Sequence, residues 1–353
     1  MSIIYTDRDY FKLALINASF RQINGYSQPK LELHLLTSIF KSSLAKRVNL
    51  FTAPEVEVKA LIAESFPRNS YYQGRVEKVA DVFCNQQFLA RIEEQVEEEM
   101  RLCQEYEIKY ITYQEQVYPT LLKEIKLSPI ILFYQGQLPT DQELERSLAV
   151  IGAREVEELG AKLAYQVGKK LSEEGWWNIS GLAAGCDRAG HQGSLAGGGL
   201  TGAVLAHGLA SEIYPPENEK LAAEILEAGG FLLSELPPST EPLAHFFKWR
   251  DRLQSGLARG VFVVETARRG GTLYTVNYAL RQGKKVYVWD PQEQQLPEEM
   301  IEGNLILLGS KDAPDNFQVS SKQKLEQVIG VGSAAELLEE LARLGGKQMR
   351  LNL

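Results

Sequence analysis

Four short segments of this 353-residue chain combine glycines, cations and aromatic rings in patterns able to hold an anion. The first, Ile151-Gly152-Ala153-Arg154, lies between an apolar run and a helical pattern. Glycine permits a tight turn there, and an arginine at a strand's carboxyl end faces the ligand crevice of an α/β sheet. The plain alternative is a turn glycine beside a solvated arginine. The second runs from Ser180-Gly181-Leu182-Ala183 through Gly185, Cys186 and Asp187 to His191. A glycine turn opening a helix exposes N–H groups at the positive end of the helix dipole, a cradle for phosphate. Asp187 could instead be only a helix cap. His191, four residues on, shares its helix face, but two ligands do not make a metal site, and none is expected. Cys186 sits near a helix start, which would lower a thiol pKa. It has no sequence-local base, so no catalytic role is assigned to it.

The third segment is Phe246-Phe247-Lys248-Trp249-Arg250-Asp251-Arg252. Cations for a backbone and aromatic faces for bases are what a single strand of nucleic acid requires. The competing reading buries Phe247 and Trp249 in the core and leaves the cations solvated. The fourth is Glu265-Thr266-Ala267-Arg268-Arg269-Gly270-Gly271-Thr272, a second glycine turn opening a helix, with two fixed charges beside it. Glu265 could orient an arginine or, in an enzyme, act as a general base. Between Ala244 and Lys285 there are nine Lys or Arg and two acids, a local +7 within a chain of net charge −8. That asymmetry points to a polyanion-binding face on an acidic protein.

Composition narrows the classes. The apolar fraction is 44% and the charged fraction 24%, ordinary for a globular chain. No apolar run reaches the length of a membrane span, so no membrane partner is expected. The opening MSIIYTDRDYFK does not resemble a signal peptide, and Cys84, Cys103 and Cys186 form no CxxC pair. A reducing cytoplasm is the expected location. No G-x-G-x-x-G follows the strand at Leu148–Ile151, which argues against a nicotinamide dehydrogenase. No cofactor is expected.

The elements that must position these segments are legible as periodicities. Residues 1 to about 105 form a helical region, with stripes Phe11, Leu15 and Ala18; Leu31, Leu35 and Ile39; and Val79, Val82 and Phe83. Turns are expected at Gly25–Pro29 and Phe66–Asn69. Glu93 to Glu99 is an acidic run, expected as a solvated helix face. From 106 to 310 strands alternate with helices. Strands are expected near 108–113, 129–134, 148–151, 178–180, 200–205, 231–233, 261–264 and 286–289. Such alternation gives an α/β fold: a Rossmann-like doubly wound, mostly parallel sheet, with ligands at the strands' carboxyl ends. Residues 311–353 become polar and then form one amphipathic helix from Ala334 to Leu344, a short helical tail.

Taken in order, these motifs resemble the DNA-processing protein A family, also called DprA or Smf. The resemblance covers roughly 115–292. It rests on Gly152-Ala153-Arg154, Ser180-Gly-Leu-Ala183 with Gly185, Asp187 and His191, and Tyr214-Pro215 with Asn218. It continues through Ser234-Glu235 with Pro237, Phe247 with Arg250 and Arg252, Val263-Val264-Glu265, and Gly271-Thr272-Leu273 with Thr275. Tyr118-Pro119 and Leu132-Phe-Tyr134 with Gly136 also look like the family. Ala153 stands where the family carries serine, Gly270 where it carries serine, and Asp251 where it carries asparagine. The resemblance implies a non-enzymatic, cytoplasmic protein that binds single-stranded DNA, protects incoming strands and loads a RecA-type recombinase in natural transformation, acting as a homodimer. Phosphate contacts would come from Gly152, Arg154, Ser180, Gly181, Gly185, Lys248, Arg250, Arg252, Arg268, Arg269, Gly270, Gly271 and Thr272, with Phe247 or Trp249 stacking bases. The N-terminal helices would match a SAM-like or helix-hairpin-helix-like domain, and the tail is short for the winged helix of many relatives. Two other readings stand beside this one. One is a nucleotide phosphoribohydrolase-like enzyme using Arg154, Glu265 and the Gly270-Gly271-Thr272 turn. The other is an interaction scaffold without either ligand.

Overall fold

The structure, a computed structural model, describes residues 4–18, 33–66, 74–291, 296–313, 319 and 325–349. The expected turns at Gly25–Pro29 and Pro67–Asn69, and the side chains of Leu31 and Leu344, lie outside the described residues.

The chain begins with helices α1 (Asp7–Ala18), α2 (Leu33–Lys46), α3 (Glu55–Ser65), α4 (Val76–Cys84) and α5 (Gln86–Glu105). The α/β part follows as β1 (Lys109–Thr112), α6 (Thr120–Glu124), β2 (Ile131–Gly136), α7 (Asp141–Leu144), β3 (Ser147–Ile151), α8 (Glu158–Glu173), β4 (Trp177–Ser180), α9 (Cys186–Ala196) and β5 (Thr201–Val204). Then come α10 (Glu219–Glu227), β6 (Phe231–Ser234), α11 (Ala244–Leu257), β7 (Gly260–Val263), α12 (Thr272–Arg281), β8 (Lys285–Trp289), α13 (Glu298–Leu307), β9 (Val328–Val331) and α14 (Ala334–Met349).

Among the described residues the nine strands form one sheet in the order β1-β2-β6-β5-β4-β3-β7-β8-β9. β1–β2 and β2–β6 pair antiparallel, and the remaining pairs are parallel. This is the expected Rossmann-like, mostly parallel architecture. Strands β3, β7 and β8 are continuous apolar runs because helices cover both faces of a parallel sheet. Their side chains alternate between layers: Leu148 and Val150 pack with Leu163, Val167 and Leu171 of α8, whereas Ala149 and Ile151 pack with Leu253 of α11 and Val276 of α12.

The helical N-terminal region shares its core with the sheet. Phe11, Leu15, Leu35, Ile39, Val79, Val82 and Phe83 join one buried cluster with Phe133 of β2, Ala203 of β5 and Leu232 of β6. Two expectations are corrected here. The acidic run on α5 is solvated at Glu94, Glu97 and Glu98, as expected, but not at Glu99. Glu99 is buried and accepts hydrogen bonds from the Ser239 N–H at 3.0 Å and from the Ser239 hydroxyl, while Glu93 pairs with Arg8 and Lys12. Those partners lie more than eighty residues from α5's acids, so the run's composition gave no sign of them. The tail also exceeds a helical extension. β9 pairs parallel with β8, and Val331, Leu337 and Leu341 join the core over α8.

Candidate nucleic-acid interface

β3 stands at the point where strand order reverses, between β4 and β7. The chain leaves β3 for α8 on one face of the sheet and leaves β7 for α12 on the other. The two loops diverge and open a crevice. It is a cavity of about 800 Å³ bounded by the loop Gly152–Glu155, the start of α11, Tyr214, and Thr266 to Thr275.

Close approach dictates the glycines of the first two segments. A Cβ on Gly152 would lie 2.3 Å from Cys186 Sγ, and one on Gly185 would lie 2.4 Å from the carbonyl oxygens of Ala153 and Arg154. Gly185 also has φ +74°, a backbone conformation that a Cβ disfavours. The Arg154 loop is locked by Ala153 N–H donating to Glu265 O at 2.8 Å and Cys186 N–H donating to Ala153 O at 3.1 Å. Arg154 itself is exposed, with its guanidinium 5.1 Å from the centre of the Phe247 ring. Tyr214 meets the same ring edge-on at 5.4 Å. Across the cleft, Lys248 Nζ lies 4.9 Å from the centre of the Tyr274 ring. Cations and aromatic faces thus alternate along the rim.

The two glycine turns differ. In the first, the Asp187 carboxylate accepts the N–H groups of Gly181 at 3.0 Å and Ala183 at 3.3 Å. The protein's own anion fills that cradle, which corrects the expectation that Ser180, Gly181 and Gly185 hold phosphate. Ser180 is fully buried and donates to Val150 O at 2.6 Å. Gly181 is small because the Arg250 guanidinium lies against it. In the second turn, a Cβ added at Gly271 would meet nothing within 4 Å, and among the described residues no hydrogen bond takes the N–H of Gly271 or Thr272. That turn is open to the cleft, with exposed Arg269 beside it.

The expected phosphate-gripping cations divide likewise. Arg154, Lys248 and Arg269 are exposed and line the cleft. Arg250 lines it too but is buried, donating to Val204 O at 3.1 Å and Gln254 Oε1 at 3.2 Å. Arg252 is no phosphate ligand: it is 1% exposed, paired through both terminal nitrogens with Glu235, and donates to Leu127 O and Trp249 O. Arg268 is exposed outside the cleft lining and acts electrostatically on Glu302. Of the two stacking candidates, Phe247 lines the cleft, whereas Trp249 packs against His245 and Phe246.

The acids also separate. Glu265 turns away from the cleft to the start of α8, where it accepts the Glu157 N–H at 3.1 Å and packs against Gly160. Burial pushes its carboxyl up. The hydrolase reading therefore loses its base. Asp251 lines the cleft, 3.4 Å from Arg250 Nε, and burial pushes it up to about 7. Cys186 is buried and its thiol is pushed up by desolvation, which overrides the helix-start effect expected from sequence. His191 is buried beside Thr201, Nδ1 to Oγ1 2.7 Å, and desolvation lowers it to about 3. Thr201 gives its own proton to Asn178 O, so Nδ1 carries the hydrogen and donates. Among the described residues no group of three or more His, Cys, Asp or Glu is placed to hold a metal.

Sequence reasoning assigned no role to Tyr274, Gln254 or Asn304, and noticed Tyr214 only within the resemblance. Tyr214 and Tyr274 complete the aromatic rim. Asn304 of α13 donates to Val264 O at 2.7 Å and Trp289 O at 2.9 Å and accepts the Thr266 N–H, fixing the loop that leads to the open turn. The density of aromatics near the cations was a usable sign for Tyr274; nothing local marks Asn304.

Known proteins share this sequence and architecture. Protein Smf of Escherichia coli (strain K12) is 36% identical over 202 residues, which are 57% of this chain and 53% of that protein. DNA processing protein DprA of Bacillus subtilis (strain 168) is 36% identical over 180 residues, 51% of this chain and 60% of that protein. The chain thus spans little more than half the length of these relatives. The crystal structure of DNA processing protein A from Streptococcus pneumoniae superposes with a TM-score of 0.67 at 24% identity, covering 96% of this chain and 99% of that one, a likeness of fold. A Helicobacter pylori DNA processing protein A, whose structure concerns that protein's single-stranded DNA binding mode, covers 67% of this chain and 98% of its own, with a TM-score of 0.54 at 20% identity. The family model for DNA recombination-mediator protein A matches residues 109–320, well over half of the sequence, and the chain belongs to that family.

Proposed function

We propose that this protein binds single-stranded DNA in the cleft at the β3–β7 switch point, without a chemical step. The observation that carries the reading is the rim, where Arg154 lies over Phe247 and Lys248 over Tyr274 beside the open Gly270–Thr272 turn. Phosphates meet Arg154, Lys248, Arg269 and the N–H groups of that turn, and bases meet the rings of Phe247, Tyr214 and Tyr274. Base–aromatic stacking is tolerant of sequence because every base has a π-face. Membership of a family described as recombination mediators supports a further step, in which a homodimer in the cytoplasm hands the strand to a RecA-type recombinase.

The test is fluorescence anisotropy with a labelled single strand and a matched duplex at two salt concentrations. Tighter, salt-sensitive binding of the single strand is expected, because phosphate neutralisation releases counterions. Absence of binding at low salt would overturn the reading.

A further inference from the structure

Phosphate and a carboxylate repel, yet a carboxylate lines the inner part of this cleft. Asp251 is 8% exposed and borders the cavity. Its contact with Arg250 is an ion pair at 3.4 Å, and Arg250 Nε has no hydrogen-bond partner, so that contact is not a hydrogen bond. Among the described residues no donor reaches the Asp251 carboxylate. The exposed cations stand at the rim. A phosphate is held best there, and what reaches Asp251 must bring N–H donors and no negative charge. A metal ion fits poorly, because Asp187 is spent on its own turn and the Arg250 guanidinium faces both acids.

We infer that Asp251 selects guanine among the bases of a bound strand. The inference rests on the strand-binding reading of the cleft. An ionised carboxylate is acceptor-only and has two oxygens. Guanine offers two adjacent donors, N1–H and the N2 amine, that match both. Cytosine and adenine offer one amine beside a ring acceptor that faces the second oxygen. Thymine offers one imino N–H flanked by two carbonyls. The order of preference is therefore guanine, then cytosine or adenine, then thymine.

The charged groups facing Asp251 are Arg250 on its own helix, Asp187 on α9 and Arg154 on the loop after β3. Protonation removes one of the two acceptors, so the preference shrinks as pH falls below about 7, where Asp251 titrates.

The experiment compares the full chain's affinity for short oligothymidylates carrying one central guanine, cytosine, adenine or inosine. A roughly ten-fold tighter complex with guanine than with all-thymine is expected, the size of one bidentate base contact. Inosine, lacking the N2 amine, gives a smaller gain. Asp251→Asn brings the guanine-to-thymine ratio close to one. Equal affinities across the series, or an unchanged ratio in Asp251→Asn, overturn the inference while leaving strand binding intact. Failure to bind any of these strands removes the strand-binding reading itself. If Asp251→Asn fails to fold, the inosine comparison on the unaltered protein decides, and an inosine strand that binds as tightly as the guanine strand counts against the inference.

Discussion

Replacing Arg252 with Met is expected to destabilise the protein by about 3–5 kcal/mol, the cost of leaving one member of a buried ion pair unpaired. The pair is deeply enclosed: the side chains of Arg252 and Glu235 are 1% and 6% exposed. Two parallel N–H···O contacts join them, linking α11 to the end of β6. Glu235→Leu is expected to cost a similar amount, because the guanidinium then keeps only the Leu127 and Trp249 carbonyls. The double variant buries no charge there, and apolar replacement of both partners is often close to neutral. Its loss is expected to fall several kcal/mol short of the sum of the single losses. Urea unfolding of the four proteins measures this coupling as a double-mutant cycle. Additive single losses, or a loss below about 1 kcal/mol in either, would refute the pairing. The folded fraction of Arg252→Met is expected to keep the salt dependence of strand binding, since that charge never faces solvent.

Three further outcomes follow. Arg154→Ala and Lys248→Ala are each expected to lower the slope of log affinity against log salt by about 0.7, the single-strand value per phosphate contact, while Arg268→Ala leaves it unchanged; titrations across a salt series decide. His191 titrates near 3 when folded and near 6.5 when unfolded, so the unfolded chain binds more protons between these values and stability falls as pH drops through that window. Asp187 and Asp251 are raised and act in the opposite sense, so the comparison is between the parent protein and His191→Asn: on going from pH 7 to pH 5 the variant's urea midpoint is expected to shift upward relative to the parent's, and parallel midpoints would refute the assignment. Cys186, buried with a raised thiol, is expected to resist maleimide in the folded protein while half-buried Cys84 reacts, and peptide mass spectrometry that finds both modified at the same rate would contradict this.

Strands β3, β4, β5, β6, β7 and β8 were legible because a parallel sheet buried on both faces demands unbroken apolar runs between glycine-punctuated helices. β9 was not. It is a half-buried edge strand, Val328-Ile-Gly-Val331, that follows a polar stretch. The site's glycines were legible for the right positions and partly the wrong reason. Gly152 and Gly185 serve loop-on-loop packing, and Gly181 makes room for Arg250, rather than offering N–H groups. The cation count was least reliable, because spacing says nothing of distant partners. Arg259 pairs with Glu145, Arg252 with Glu235, and Lys284 donates to the carbonyls of Gly256 and Ala258.

Those internal partners decide where an anion can bind. Of the nine cations between 244 and 285, the ones left on the cleft surface are Lys248 and Arg269, joined by Arg154 from the loop after β3. The two glycine turns would compete for the same phosphate if both were open. Asp187 prevents this by saturating Gly181 and Ala183. It also sets a negative charge against Arg250, so the buried guanidinium does not act as a second phosphate trap at the inner end. An anion entering the crevice meets, on the α12 side, the N–H groups of Gly271 and Thr272, which no hydrogen bond takes among the described residues, and meets carboxylates as it goes deeper. In the proposed strand-binding reading, such a field would hold a polyanionic backbone across the mouth and turn it away from the inner cavity, where an uncharged group with N–H donors is the better occupant.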